Sequence, residues 1–347
     1  MSAPLRLGVL DQSPVSEGST AGEALRNSID LARLADALGY TRYWVAEHHG
    51  TPMLACAAPE VLIGPIAQVT SRIKVGSGGV MLPHYSPLKV AETFSMLSAL
   101  APGRIDLGLG RAAGTDPKTT YALQRDRRQQ APDDFASQLV ELLGHLDRTL
   151  PAEHPFSRLV PLHGNHERPE PWLLGSSPQS AIWAADLGLP YAFADFINPA
   201  GQAIMARYRD AFIPSDRLSA PRGIVALWAL CAETDAEAER LAASSRMAFT
   251  LFQRGELIPV PPVDTALAFL ADPPADPFPV VRPRRSIVGR PERVEAGIRA
   301  AAEEYGVDEV MIVTITYDHT ARRRSYELLA EAFSTSRASE ETRMLAG

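Results

Sequence analysis

The sequence predicts an α/β protein folded as a (β/α)8 TIM barrel, one domain over residues 1–347, with insertions after the fourth and seventh strands. Three observations lead there. Eight short strand-like runs alternate with helical stretches along the whole chain. The runs are continuously apolar, as parallel strands covered on both faces should be. Their number matches a closed barrel, with an open doubly wound sheet as the alternative. At 347 residues and 46% hydrophobic content, the chain can fill one large core.

The elements follow in order. Leu5–Leu10 (LRLGVL) is the first strand. Glu23–Leu38 is an amphipathic helix closed by Gly39 as its C-terminal cap. RYWVAEH, from Arg42, is the second strand and Pro59–Val69 the second helix. Ile73–Leu82 is the third strand, Leu88–Leu100 the third helix, and Arg104–Gly110 the fourth strand. A polar loop, Ala112–Pro132, then leads to a helix over Asp133–Leu150. PWLLGSS is the fifth strand, Pro178–Leu187 a helix, YAFADFI the sixth strand and Ala200–Phe212 a helix. Gly223–Ala232 is the seventh strand and Asp235–Phe252 its helix. Prolines cluster over Pro259–Pro283, an insertion because the pattern resumes beyond it. A helix over Pro291–Tyr305, the strand EVMIVTI and a last helix over Thr320–Phe333 complete the chain.

Charge and cysteine usage exclude several classes. The net charge is −7, which disfavours a phosphate-tracking nucleic-acid surface. The short run Arg322-Arg323-Arg324 reads as a solvated helix face. The two cysteines, Cys56 and Cys231, form neither a Cys-x-x-Cys pair nor a disulfide framework. The opening MSAPLRLGVLDQS lacks the apolar core of a signal peptide, and no stretch is apolar enough to span a membrane. A cytoplasmic protein with reduced thiols and a small-molecule substrate is expected.

The segment WVAEHHG (Trp44–Gly50) ends an apolar strand in a carboxylate and two imidazoles. A metal site, an acid/base group and a polar strand end compete. Adjacent strand residues face opposite ways, so His48 and His49 do not make a metal site as a pair. An imidazole titrating near neutrality suits acid/base work. Glu47 reads as structural, and His49 as a packing residue or one that supports the site from behind. His163-x-x-His166 sits in an insertion without a matching carboxylate.

Three glycine-rich stretches carry further readings. GLGRAAG (Gly108–Gly114) has the wrong spacing for a dinucleotide fingerprint and opens into a loop, so a Rossmann site is rejected. Arg111 at its centre lies at the C-terminal end of a strand, where it is either a phosphate grip or an ion-paired surface arginine. GSSPQSA (Gly175–Ala181) opens a helix, with Ser176 or Ser177 as cap and Pro178 in the first turn. It is either a simple cap or an anion site built with Ser177 and Ser180. SGGVMLP (Ser77–Pro83) places Gly78 and Gly79 inside a strand, as a bulge or as bare backbone against a flat ring.

These stretches resemble the luciferase-like monooxygenase family, flavin-dependent barrels related to bacterial luciferase. The likeness is carried by YWVAEHHG, VGSGGVMLPHYSPLKVAE, GRIDLGLGRA, LLGSSPQSA and VGRPERVEAGIRAAAEEYGVDEVMI, and spans nearly the whole chain. The resemblance implies FMN as cofactor, with Arg111 and the hydroxyls of Ser177 and Ser180 on its phosphate. It implies a cis peptide at Gly78–Gly79 behind the isoalloxazine, His48 as the catalytic histidine, and Asp11 on the pocket floor. It further implies a two-component monooxygenase: reduced FMN from a separate NAD(P)H:flavin reductase, O2, and a small organic substrate, in a homodimer. An F420-dependent hydride transfer and a flavin-binding protein without turnover are the alternatives. Two departures weigh against light emission and a long-chain aldehyde. Gly110 stands where luciferase has cysteine, and the Pro-rich segment replaces its mobile loop. The segments 112–132 and 256–285 are candidate lids.

Overall fold

The structure is a computed structural model. It describes residues 5–111, 116–128, 133–272 and 285–346, with side chains as far as Thr335. In chain order the elements are β1 (Arg6–Asp11), α1 (Ala21–Leu38), β2 (Arg42–Val45), α2 (Pro59–Val69), β3 (Lys74–Met81), α3 (Pro87–Leu100), β4 (Ile105–Gly110), α4 (Pro117–Leu123), α5 (Phe135–Asp147), β5 (Glu170–Gly175), α6 (Pro178–Asp186), β6 (Tyr191–Ala194), α7 (Gln202–Asp210), β7 (Gly223–Cys231), α8 (Asp235–Gln253), α9 (Val263–Ala271), β8 (Ile287–Gly289), α10 (Pro291–Tyr305), β9 (Glu309–Val313) and α11 (His319–Ala346).

Eight strands close into a parallel barrel in the order β1 to β7, then β9, which returns to β1. The expected (β/α)8 architecture is present. β8 was not expected. It pairs only with the far end of β7, Leu230 opposite Val288, and lies outside the ring. At three residues it is too short to leave a pattern. Two further helices occupy the segments read as loops, α4 before α5 and α9 before β8. Within those segments 112–115, 129–132 and 273–284 lie outside the described residues, so the candidate lids are described only in part. Helix ends follow local chemistry. Thr20 accepts the Glu23 N–H at 3.1 Å to start α1, and Gly39 ends it at φ 83°.

Strand alternation sorts the side chains into two cores. Leu7, Val9, Tyr43, Val45, Val75, Leu107 and Leu109 pack outward under the helices. Leu10, Trp44, Ala46, Trp172, Ile224, Ala226, Met311 and Val313 fill the barrel interior. At the strand beginnings the interior is ionic. Arg42 contacts Asp106 at 2.5 Å and Glu309 at 2.9 Å, and Lys74 contacts Glu170 at 2.5 Å. Trp44 donates its Nε1–H to Asp106 at 2.8 Å and meets Trp172 edge-on with centroids 5.4 Å apart. The Arg42 and Arg222 guanidinium groups lie 4.7 and 4.6 Å from the Trp172 ring centre. This floor blocks the N-terminal end.

The arginine run on α11 is only in part the expected solvated face, for Arg323 and Arg324 stay partly exposed while Arg322 does not. Arg322 is 2% exposed and reaches Asp11 at 2.7 Å, while Arg323 pairs with Asp30 and Arg324 with Glu233, Glu327 and Glu331. The reason is that α11 packs against α1 and β7, where fixed carboxylates meet it.

Asp11 is fully buried. Burial pushes its pKa up, but Arg322 and the hydroxyls of Ser28 and Tyr43 outweigh that and hold the carboxyl below its ordinary 3.8. Asp11→Ala would leave the Arg322 charge buried without its partner and cost about 3–5 kcal/mol in denaturant unfolding. The sign of the pH effect follows from the lowered pKa. The pair's stabilisation is complete above about pH 4, and fades as pH falls through the folded pKa. The variant's acid-unfolding limb will therefore be shallower than that of the wild type.

Candidate active site

With the N-terminal end filled, the site lies at the C-terminal rim, where barrel strands end. β3 reaches this rim with the peptide between Gly78 and Gly79 in cis. The glycines are required by space. A β-carbon at Gly78 would lie 2.5 Å from Leu10 Cδ1 and 3.0 Å from Trp44 Cβ, and one at Gly79 would lie 2.8 Å from the Gly108 carbonyl oxygen. The β3–β4 register shifts here, between Ser77 and Val80. The result is bare backbone resting on the interior core.

One strand further round, Leu109 stands opposite Leu173. Continuing that register sets Arg111 beside Gly175, where the loop into α6 begins. Arg111 is exposed, and its Cζ lies 5.5 Å from the ring centre of Trp183 on α6. Ser177 is the N-cap of α6, with Pro178 following, and its hydroxyl takes no hydrogen bond from the first turn. Arg111 and the N-terminus of α6 thus follow neighbouring strands, β4 and β5, at the same end of the barrel. Ser180 belongs to the same turn but is buried. Its Oγ–H donates to the Ser177 carbonyl at 2.8 Å, and the Tyr191 hydroxyl lies 2.9 Å from it. A side chain at Gly175 would collide with that hydroxyl, which accounts for the glycine.

β2 stops at Val45, short of the expected strand, and residues 46–50 turn across the rim. The His48 N–H donates to the Cys56 carbonyl at 2.9 Å, and its Nδ1 is buried without a hydrogen-bond partner. Burial, and then the neighbouring His49, lowers its pKa from 6.5 to about 4. The imidazole is therefore neutral at physiological pH, a hydrogen-bonding group rather than a charge. Glu47 is fully buried. It accepts from the Met81 N–H at 3.0 Å, the Tyr85 hydroxyl at 3.0 Å and His49 Nε2 at 2.8 Å. It ties the His48 segment to the end of β3, the structural role expected of it. Apolar side chains finish the rim. Phe196 and Trp228 pack on the interior core, and Leu54, Val260 and Ile315 form a cluster that Trp228 also touches.

The structure thus brings together Gly78, Gly79, His48, Arg111, Ser177 and Ser180 at one end of the barrel. Asp11 is not in that group. Its carboxylate points outward with Leu7 and Val9, to Arg322, Tyr43 and the Ser13 N–H. The alternation of β1 carries this signal, since Leu10 faces inward. Sequence reading missed Trp183 and the group Asp195, Tyr305 and Arg285. Tyr305 donates to Asp195 at 2.8 Å and Arg285 reaches it at 3.1 Å. No spacing rule joins residues so far apart in the chain. Among the described residues, no three His, Cys, Asp or Glu side chains group as metal ligands, and no helix is long and apolar enough to cross a membrane.

Comparison with known proteins agrees with the barrel fold. Residues 5–309 match the family model for luciferase-like monooxygenases. A luciferase-like monooxygenase of Escherichia coli is 42% identical over 93% of this chain and 96% of its own. The N-acetyl-S-alkylcysteine monooxygenase of Bacillus subtilis is 37% identical over 94% and 98%. The solved structure of apo-MsnO8 superposes with a TM-score of 0.87 at 44% identity, over 95% and 98% of the two chains. The fold is also shared, at 22% and 14% identity, with a type II Baeyer–Villiger monooxygenase from Pseudomonas putida in complex with FMN and with an F420-dependent secondary alcohol dehydrogenase.

The His48 environment predicts a titration. Its imidazole resonances should move with a midpoint near pH 4, and a midpoint above about 6 would contradict the burial described. The unfolded chain binds the proton at the ordinary 6.5. Folding stability from this group therefore falls as pH drops from there toward the folded value.

Proposed function

The chain belongs to the luciferase-like monooxygenase family and is a monooxygenase-type oxidoreductase. From that premise we propose that it takes reduced FMN from a separate NAD(P)H-dependent reductase and, with O2, oxygenates a small organic substrate at the C-terminal rim. The observation that carries the choice of a phosphorylated flat cofactor is the pairing of two features. Bare backbone at Gly78–Gly79 supplies a surface without β-carbons, and Arg111 with the uncapped α6 terminus supplies an anion seat on adjoining strands.

Reduced FMN, when bound, supplies the electrons for activation of O2. The chain's own residues do the rest. Arg111, the Ser177 hydroxyl and the first-turn N–H groups of α6 hold the phosphate. Ser180 braces that turn, and its hydroxyl reaches an anion only by releasing the Ser177 carbonyl. Gly78 and Gly79 back the ring. His48 offers its unpartnered Nδ1 as a hydrogen-bonding and proton-handling atom on the rim. Phe196, Trp228 and Ile315 keep water away from the reacting groups. Thioethers are the first substrate class to assay, because the B. subtilis relative is named for an S-alkylcysteine.

The test is reconstitution with photoreduced FMN and O2. Substrate-dependent O2 consumption without added NAD(P)H, with one oxygen atom in the product, is expected. Tight binding of F420 in place of FMN would replace this reading with hydride transfer, and FMN binding without turnover would reduce it to a flavin carrier. His48→Ala should keep its FMN affinity and lose about 100-fold in turnover. Unchanged turnover removes His48 from the chemistry.

A further inference from the structure

We propose that Trp183 is a positioning residue that holds the Arg111 guanidinium beside the N-terminus of α6, ready for an anion. The proposal rests on the FMN reading above and deepens it. Arg111 follows directly on the last residue of β4. An arginine at such a place is free to extend into solvent, and ordering its long side chain only when an anion arrives would cost affinity. Here its Cζ lies 5.5 Å from the Trp183 ring centre, within cation–π range. Trp183 follows Ser180 by one helical turn and shares its side of α6. The indole is itself held. It packs on Phe135, which is 2% exposed, with ring centroids 5.1 Å apart and planes 34° apart. The start of α5 therefore steadies the indole, the indole steadies the guanidinium, and the guanidinium is kept on the side of α6 whose N-terminus the Ser177 hydroxyl leaves uncapped.

The consequence is confined to the phosphate. FMN and riboflavin differ only in that group, so the ratio of their dissociation constants reads the anion seat alone. The wild type should bind FMN more tightly than riboflavin. Trp183→Leu should shrink that preference about two- to five-fold, the effect of an exposed cation–π contact, while riboflavin affinity stays unchanged. Trp183→Phe, which keeps an aromatic face, should retain most of the preference. In an Arg111→Ala background, Trp183→Leu should add nothing, because its effect passes through the guanidinium. Should the leucine variant lose its fold by circular dichroism, Trp183→Met serves for the same measurement. A wild-type ratio in the Trp183 variants, or an equal loss in the Arg111→Ala background, overturns the proposal while leaving the FMN reading intact. Equal affinity of the wild type for FMN and riboflavin overturns both.

Discussion

The architecture depends on how the barrel interior is filled. Arg42, Asp106, Glu309, Lys74 and Glu170 form a closed set of charges at the strand beginnings, and Trp44 and Trp172 lie over it. Charges this buried persist only in company, because each would be costly to desolvate alone. Paired in this way, they sit across the N-terminal end of the barrel. The remaining space is at the opposite rim, with Leu10 and Trp44 as its base. Those are the two side chains that a β-carbon on Gly78 would strike. The floor of the barrel therefore dictates the bare backbone of the site.

From that base the rim is assembled by links between neighbouring strands. Glu47 joins the turn after β2 to the last residue of β3 through the Met81 N–H and to Tyr85 beyond it. Asn198 donates from the loop after β6 to the Ser176 carbonyl at 3.0 Å, which fixes the loop into α6 from its other side. The Val15–Val260 backbone pair, at 2.8 Å, binds the loop after β1 to the segment before α9. Gly110 has a plain steric context. A β-carbon there would sit 3.2 Å from Met81 Sδ, so a cysteine at this place would require that flexible side chain to yield.

Much of this was legible in the sequence because it rests on local rules. Continuous apolar runs marked the eight barrel strands, Gly39 marked a helix end, and Ser177 with Pro178 marked the start of α6. The paired glycines at 78 and 79 signalled a bulge or a close approach to bare backbone, and they carry the cis peptide beside a register shift. What was not legible depends on distant partners. Arg322 reads as solvent-facing until Asp11 is seen to lie against it, 311 residues earlier. Asp11 itself was assigned to the pocket although alternation from Leu10 turns it outward. The Ser180 hydroxyl looks free until the Tyr191 hydroxyl is brought to it by the β5–β6 pairing. α4 and β8 are short and carry few apolar residues, and α9, though apolar nearly throughout, is masked by the prolines clustered around it.

The seam between β1 and β9, locked by Arg322 on Asp11, has a consequence for how the molecule is made. β1 pairs early with β2, but its second neighbour, β9, is made only after the other barrel strands, and the guanidinium that neutralises its buried acid comes later still. During translation the leading strand waits with one edge unsatisfied, an exposure that invites pairing with the wrong chain. Closure of the ring thus waits for β9, and α11, through Arg322, is the latch that completes it.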